Sequence, residues 1–316
     1  MKVIKLFSFL LIVLGLISCN SHQNHLEFKI QLLGTNNQND IRILKDRIFE
    51  LSGETPQISE LPNSIFYFKL NSFQDSGLIY QTIQTKGDFD ITESYDVKEF
   101  YPILEKINRN LVVSNQLPDY LKNDSMDFVR NNPLFSLMMP SSDGEGNLVS
   151  GPTIGYMMVK DTSRLLHLFN APEAKALMPF GARIQFGKLL NETTCPVYVQ
   201  KIDEKEDLSI LPHMFEDIRV KLSEVSDGYE IIITLKAPFK NRFAKLTHKN
   251  ILKGLIIKFD NLVLSAPIVQ SEVIGGKFTI NANLSKEESI FIATCLKTGV
   301  LTNKPIVQDF GFVKNN

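Results

Sequence analysis

No tryptophan occurs in the 316 residues, and only three cysteines do, at Cys19, Cys195 and Cys295. Three thiols cannot staple a loop-rich fold, so an apolar core must hold the chain together. A hydrophobic share of 43% is ample for that core and for two subdomains. An excess of one charge is missing too. The 34 basic residues face 35 acidic ones, a formal net charge of -1, which gives no electrostatic case for nucleic acid. Histidine is sparse and scattered, at His22, His25, His167, His213 and His248, with no H-E-x-x-H pair to support a zinc protease. No serine sits in a G-x-S-x-G elbow, and Cys295 has no partner signature for a thiol nucleophile. These residues assemble no active site and imply neither a cofactor nor a metal. Cys295 falls in an apolar helical run and Cys195 beside Pro196, so both read as buried thiols rather than a disulfide.

Long apolar runs are also scarce. Residues 6–17 form one behind Lys2 and Lys5, shorter than the roughly 20 residues a spanning helix needs. Signal peptides have this build. Leu16-Ile17-Ser18-Cys19 resembles a bacterial lipobox, which would make Cys19 the acylated first residue of an exported chain. Residues 1–18 then form the signal peptide and 19–25 a polar tether. Asn20, in place of Asp, is a sorting hint toward the outer rather than the inner membrane. The most apolar later stretch, 254–269, carries Lys258 and Asp260, so no further span is expected. The expectation is a lipid-anchored, periplasm-facing protein of the bacterial cell envelope.

Hydropathy patterning predicts an α+β fold. Residues 26–32 alternate as a strand, and Ile41, Leu44, Ile48 and Leu51 form a helical stripe capped by Asp40 and ended by Gly53. Strands at 57–59 and 65–68 follow, then a helix over 75–85 closed by Gly87, and a strand at 88–92. This β-α-β-β-α-β order is that of a ferredoxin-like unit, two helices on one face of a sheet. Val97, Phe100, Leu104, Ile107 and Leu111 mark an amphipathic helix, which ends this base at residue 112.

Residues 113–155 read as a connector with a flexible loop at 141–152. Asp143, Glu145 and Asn147 alternate as a calcium loop begins, but Leu148 and Ile154 stand where its Gly and Glu belong, so the reading is a solvated loop. A second α+β subdomain of mainly antiparallel sheet is expected over 156–305, its C-terminal part free to return to the base, and 306–316 read as a tail. Asp161 caps a helix to Phe169, and strands are expected at 156–159, 182–186, 197–200 and 229–235. Asp260-Asn261 turns a hairpin between 256–259 and 262–264, and Ser265-Ala266-Pro267 ends its second strand. Gly275-Gly276 leads into a strand at 277–280, so these glycines turn the chain and do not cradle phosphate. Ser285 and Glu288 form a capping box on the last helix, and Gly299 is placed to close it in the αL conformation.

From Phe243-Ala244-Lys245-Leu246-Thr247-His248-Lys249-Asn250 onward the sequence resembles the first large periplasmic domain of SecD and SecDF. The resemblance continues through 254–257, Leu264-Ser265-Ala266-Pro267-Ile268-Val269-Gln270-Ser271-Glu272, 275–280 and 296–301. Upstream, 132–137, Gly151-Pro152 with Gly155, 160–162 and 172–179 are similar to a long SecDF form of Bacteroidetes. The resemblance implies a base plus head, without the family's transmembrane helices. It also implies a non-enzymatic lipoprotein that binds exported polypeptides or Sec translocon components and assists translocation. The alternative is an envelope assembly or structural lipoprotein using the same fold for a different partner.

Overall fold

The computed structural model describes residues 24–33, 37–71, 75–114, 118, 121, 125–202, 209–224 and 227–314. The expected signal peptide, Cys19 and nearly all of the tether lie outside them. Strand β1 (Asn24–Gln31) leads to helix α1 (Asn37–Ser52), strands β2 (Gln57–Leu61) and β3 (Ile65–Leu70), helix α2 (Ser76–Ile83) and strand β4 (Phe89–Ser94). Next come α3 (Val97–Val113), α4 (Asp127–Asn131), β5 (Met138–Pro140), β6 (Thr153–Met158), α5 (Thr162–Asn170), α6 (Pro172–Lys175), β7 (Ala182–Phe186) and β8 (Thr194–Lys201). The chain continues through β9 (Phe215–Leu222), β10 (Tyr229–Leu235), α7 (Ala237–Lys249), β11 (Leu255–Phe259) and β12 (Leu262–Ser265). Strand β13 (Lys277–Leu284), helix α8 (Lys286–Thr298) and strand β14 (Ile306–Lys314) close it. The fold is α+β with mainly antiparallel sheets, as the patterning implied.

Two compact units emerge, neither continuous in sequence. Among the described residues the first takes 24–90, 211–240 and 275–314, and the second 91–210 and 241–274. The expected boundary at 112 therefore falls near residue 90, and the stretch 156–305 is shared between the units. Strand pairing, which local patterning does not report, decides this division.

In the first unit the sheet order is β14-β1-β3-β2. Two expectations are corrected here. The strand read at 88–92 does not complete this sheet, because Glu93 and Ser94 of β4 pair with Lys201 and Gln200 of β8. Its place beside β1 goes to β14, inside the segment read as a tail, with Phe312 opposite Leu26 and Phe310 opposite Phe28. The reason is packing. Phe310 stacks on Phe28 at 5.6 Å, and Phe28 on Phe68 at 5.0 Å, an aromatic row across three strands. Beneath that row, Ile43, Leu44, Ile48, Ile79 and Ile83 of α1 and α2 bury one face of the sheet. Helix α8 packs against α1 and α2 and also against β9 and β10 of a second sheet, ordered β13-β10-β9. On the other face of the first sheet, the buried His25 meets Glu27 Oε1 through its Nε2 at 2.6 Å. A hydrogen bond with Tyr67 lowers the Glu27 pKa, while desolvation and that bond push Tyr67 up to about 12.

Asp40 does not cap α1. It lies buried within the helix, and its Oδ1 accepts from Thr302 N and Oγ1, both at 3.0 Å. Arg47 in the same helix is 0% exposed. Its Nη1 donates to the carbonyls of Thr82, at 3.0 Å, and Thr85, and its Nη2 to those of Lys86 at 2.9 Å and Gly299 at 2.8 Å. These acceptors stand at the C-terminal ends of α2 and α8, where a cation also complements the helix dipoles. Gly299 adopts φ 110° and ψ 179°, not the expected αL conformation, and so turns its carbonyl toward Arg47. Gly87 holds φ 81°, and a Cβ there would collide with Arg47 Nη2.

The second unit is one sheet ordered β12-β11-β4-β8-β6-β5, with β7 paired to β8. Lys188 N donates to Val263 O at 2.9 Å, so the chain after β7 returns to β12 and curls the sheet upon itself. Phe100, Leu104, Ile107 and Leu111 of α3 pack with Leu165, Leu168, Val197 and Val199 into its core. Cys195 is buried here, its thiol pushed up to about 11 by desolvation, while Cys295 is buried in α8 of the first unit. The two are not joined in a disulfide. The loop at 141–152 is a structured hairpin rather than slack. Ser142 bridges Leu148, and Asp143 Oδ1 accepts from the backbone of Glu145 and Asn147, each at 2.9 Å. The bonds from Asn147 lower the Asp143 pKa and occupy both oxygens of that carboxylate, the first of the three residues that alternate as in a calcium loop.

Replacing Arg47 with Met should destabilise the protein by about 3–5 kcal/mol, because four buried or part-buried carbonyls lose the bond it donates. Urea unfolding reads this; a loss under about 1 kcal/mol would contradict the stated role.

Candidate functional site

Helix α7 passes from the first unit into the second and ends at Lys249. Asn250 then fixes a tight turn, its Nδ2 donating to Leu246 O at 2.8 Å. Beyond the β11–β12 hairpin, Pro267 cannot donate to a ladder, so pairing stops and residues 266–274 run back along this turn as a strap. Leu255 N donates to Pro267 O at 3.0 Å, Val269 N to Lys253 O at 2.9 Å and Leu252 N to Val269 O at 2.8 Å. Farther along, Val273 N reaches Thr247 Oγ1 at 2.9 Å, and Glu272 lies 3.4 Å from His248 Nδ1. Gly254 lets the strap's base close, since a Cβ there would collide with Pro152 and with Ser94 Oγ. Ser94 Oγ instead donates to Gly254 O at 2.9 Å.

The strap and its turn present four large apolar side chains to solvent. Leu252 is 74% exposed and Ile274 72%, with Ile268 and Ile251 also exposed. Leu252 holds φ 64°, a left-handed conformation that costs an L-residue roughly 1–2 kcal/mol. Its side chain returns little of that through internal packing, which singles it out as more than a turn residue. Lys245, Lys249 and Lys253 are the cationic groups of the same segment, and Lys249 Nζ meets Glu93 Oε1 at 2.8 Å. Such a surface can cover apolar side chains of a partner. Among the described residues no group of three His, Cys, Asp or Glu side chains could hold a metal ion.

The residues singled out by sequence are dispersed. Ser265 ends β12, Ala266 packs on Tyr198, Ile256 and Val263, and Pro267 starts the strap, all in the second unit. Gly275 and Gly276 belong to the first, where Gly276 at φ 64° accepts from Leu235 N at 2.8 Å and admits β13. Gly299 meets Arg47, and Cys19 lies outside the described residues. Sequence reasoning passed over Leu252, which follows Asn250-Ile251 and precedes Lys253-Gly254. A large apolar residue inside a turn-like run was the available signal.

Leu252→Gly should leave thermal stability unchanged or raise it by up to about 1 kcal/mol, because glycine relieves the left-handed strain. The same change should weaken capture of any partner held on the strap. A melting temperature lowered by several degrees would instead show that the side chain packs internally.

Residues 197–303 match the family model described as SecDF, P1 head subdomain, and the strap lies inside that range. The protein translocase subunit SecD of Rhodothermus marinus is 28% identical over 174 residues, covering 54% of this chain and 26% of that protein. The SecD subunit of Leptotrichia buccalis is 35% identical over 102 residues, covering 31% and 25%. The chain thus spans about a quarter of the length of these curated relatives. A crystal structure of SecDF in its Super-membrane-facing form shares the fold, with a TM-score of 0.53 at 14% identity over 98% of this chain and 34% of that one. Among the described residues no helix is long and apolar enough to cross a membrane. Residues 197–303 thus carry the signature of the SecDF P1 head subdomain, and the fold is that of a SecDF structure.

Proposed function

We propose that this chain assists Sec-dependent protein translocation by holding exported polypeptides, without catalysis, from a lipid anchor at Cys19. The observation that carries the reading is the SecDF P1 head match over 197–303. The names of its relatives, protein translocase subunits, give the process. The strap gives holding a physical form. Each large apolar side chain covered by a partner contributes roughly 1.5–3 kcal/mol when fully buried, and less on an open surface. Two or three such contacts, offset by the cost of ordering the bound chain, give binding that is weak and reversible. That is what a protein needs if it must release what it holds.

Photoreactive groups placed at Leu252, Ile268 and Ile274 in intact cells test the reading. Capture of varied exported chains, or of translocon subunits, is the expected result. Repeated capture of one unrelated envelope protein would show that the fold serves a different partner and would overturn it.

A further inference from the structure

The whole chain balances 34 basic against 35 acidic residues, but the stretch that builds the strap does not. Between residues 241 and 274 stand Arg242, Lys245, Lys249, Lys253 and Lys258, against Asp260 and Glu272 alone. Glu272 lies 3.4 Å from His248 Nδ1, and Asp260 sits in the β11–β12 turn. Lys249 is held by Glu93. Lys245 and Lys253 are exposed, and neither meets a carboxylate among the described residues.

Backbone contacts set these two lysines beside the exposed apolar side chains. Lys253 follows Leu252, its carbonyl accepts from Val269 N, and the next residue, Gly254, bridges Ile268. Lys245 and His248 lie three residues apart in α7 and so share a helix face. His248 meets Glu272, and Thr247 Oγ1 accepts from Val273 N, so Lys245 borders the end of the strap that carries Ile274. A cation therefore stands near each end of the apolar surface. Gln270, Ser271 and Glu272, also exposed, separate Ile268 from Ile274. A lipid surface would have to dehydrate those three with the isoleucines, whereas an extended chain can set its own polar groups against them.

We propose that the strap selects segments of unfolded polypeptide in which apolar side chains are flanked by aspartate or glutamate, with Lys245 and Lys253 taking the carboxylates. The inference rests on the holding function above and deepens it: apolar contact supplies the hold, and charge chooses among segments. Exposed ion pairs contribute little each, so the choice is a preference that salt weakens, not a requirement.

Fluorescence anisotropy on the full chain in phosphatidylcholine nanodiscs tests this. The probes are labelled, capped peptides that share one leucine-serine core, flanked on both sides by aspartate, asparagine or lysine. At low salt the aspartate peptide should bind about fivefold more tightly than the asparagine one, and the lysine peptide about fivefold more weakly. Both differences should vanish at about 1 M salt. Lys245→Gln and Lys253→Gln together should bring the three peptides to one affinity and leave the asparagine peptide unchanged. Equal affinities in the unaltered chain, or a preference that survives both substitutions, would overturn the inference. Retention on phosphatidylglycerol vesicles through the same lysines, with no choice among peptides, would overturn it in favour of a lipid surface. Self-association abolished by the two substitutions, again with no choice among peptides, would overturn it in favour of a second copy of this chain. Equal affinities with every peptide crosslinking at Leu252 would remove the charge preference and leave the holding function. Binding of none of the peptides would overturn the holding function and this inference with it.

Discussion

The first unit depends on one buried guanidinium. Arg47 has no exposed surface and reaches four carbonyls, of Thr82, Thr85, Lys86 and Gly299. An isolated buried cation would cost several kcal/mol, so its place requires acceptors held in position by other elements. The ends of α2 and α8 supply them, and Arg47 satisfies terminal carbonyls that each helix would otherwise leave without a partner. The arrangement also fixes the exit of α8. Leu301 N donates to Lys86 O at 2.9 Å, and Thr302 is held by Asp40, so the last strand starts beside β1. The position of β14 follows from a charge in the first helix.

The second unit solves a different problem. Its sheet curls so that Val263 meets Lys188, and the chain leaving β12 has no ladder to join after Pro267. It turns back across 247–255 and is pinned at Gly254, Lys253, Leu252 and Thr247. A strap fixed at this many points can display apolar side chains without collapsing around them. The left-handed Leu252 is the clearest sign, because a soluble turn without a partner would favour glycine or asparagine there.

Much of this was legible in the sequence, and the failures share a cause. Helix α3 was plain because Val97, Phe100, Leu104, Ile107 and Leu111 keep a helical period across four turns, and all five are buried. The β11–β12 hairpin was equally plain from Asp260, which does adopt φ 50°. The Ser285 capping box formed as read. Strand β14 was missed because its alternation is short and interrupted by Gly311, and its reason to exist is Phe28, far away in sequence. Strand β9 was missed because Glu216-Asp217 breaks the apolar pattern before Ile218. Asp40 and Gly299 were read by local capping rules, and both were redirected by tertiary partners, Thr302 and Arg47. Local rules describe what a residue favours alone; these two have better partners in the fold. Of the candidate surface, the sequence showed the Ser265-Ala266-Pro267 frame, not the exposed leucine it supports.

The central claim is that this chain acts in protein export. Pulse-labelling of exported proteins in cells depleted of it tests that claim most directly. The account predicts that unprocessed precursors of several unrelated exported proteins persist longer than in wild-type cells. Processing of all of them at the wild-type rate, with one other envelope component lost, would contradict it.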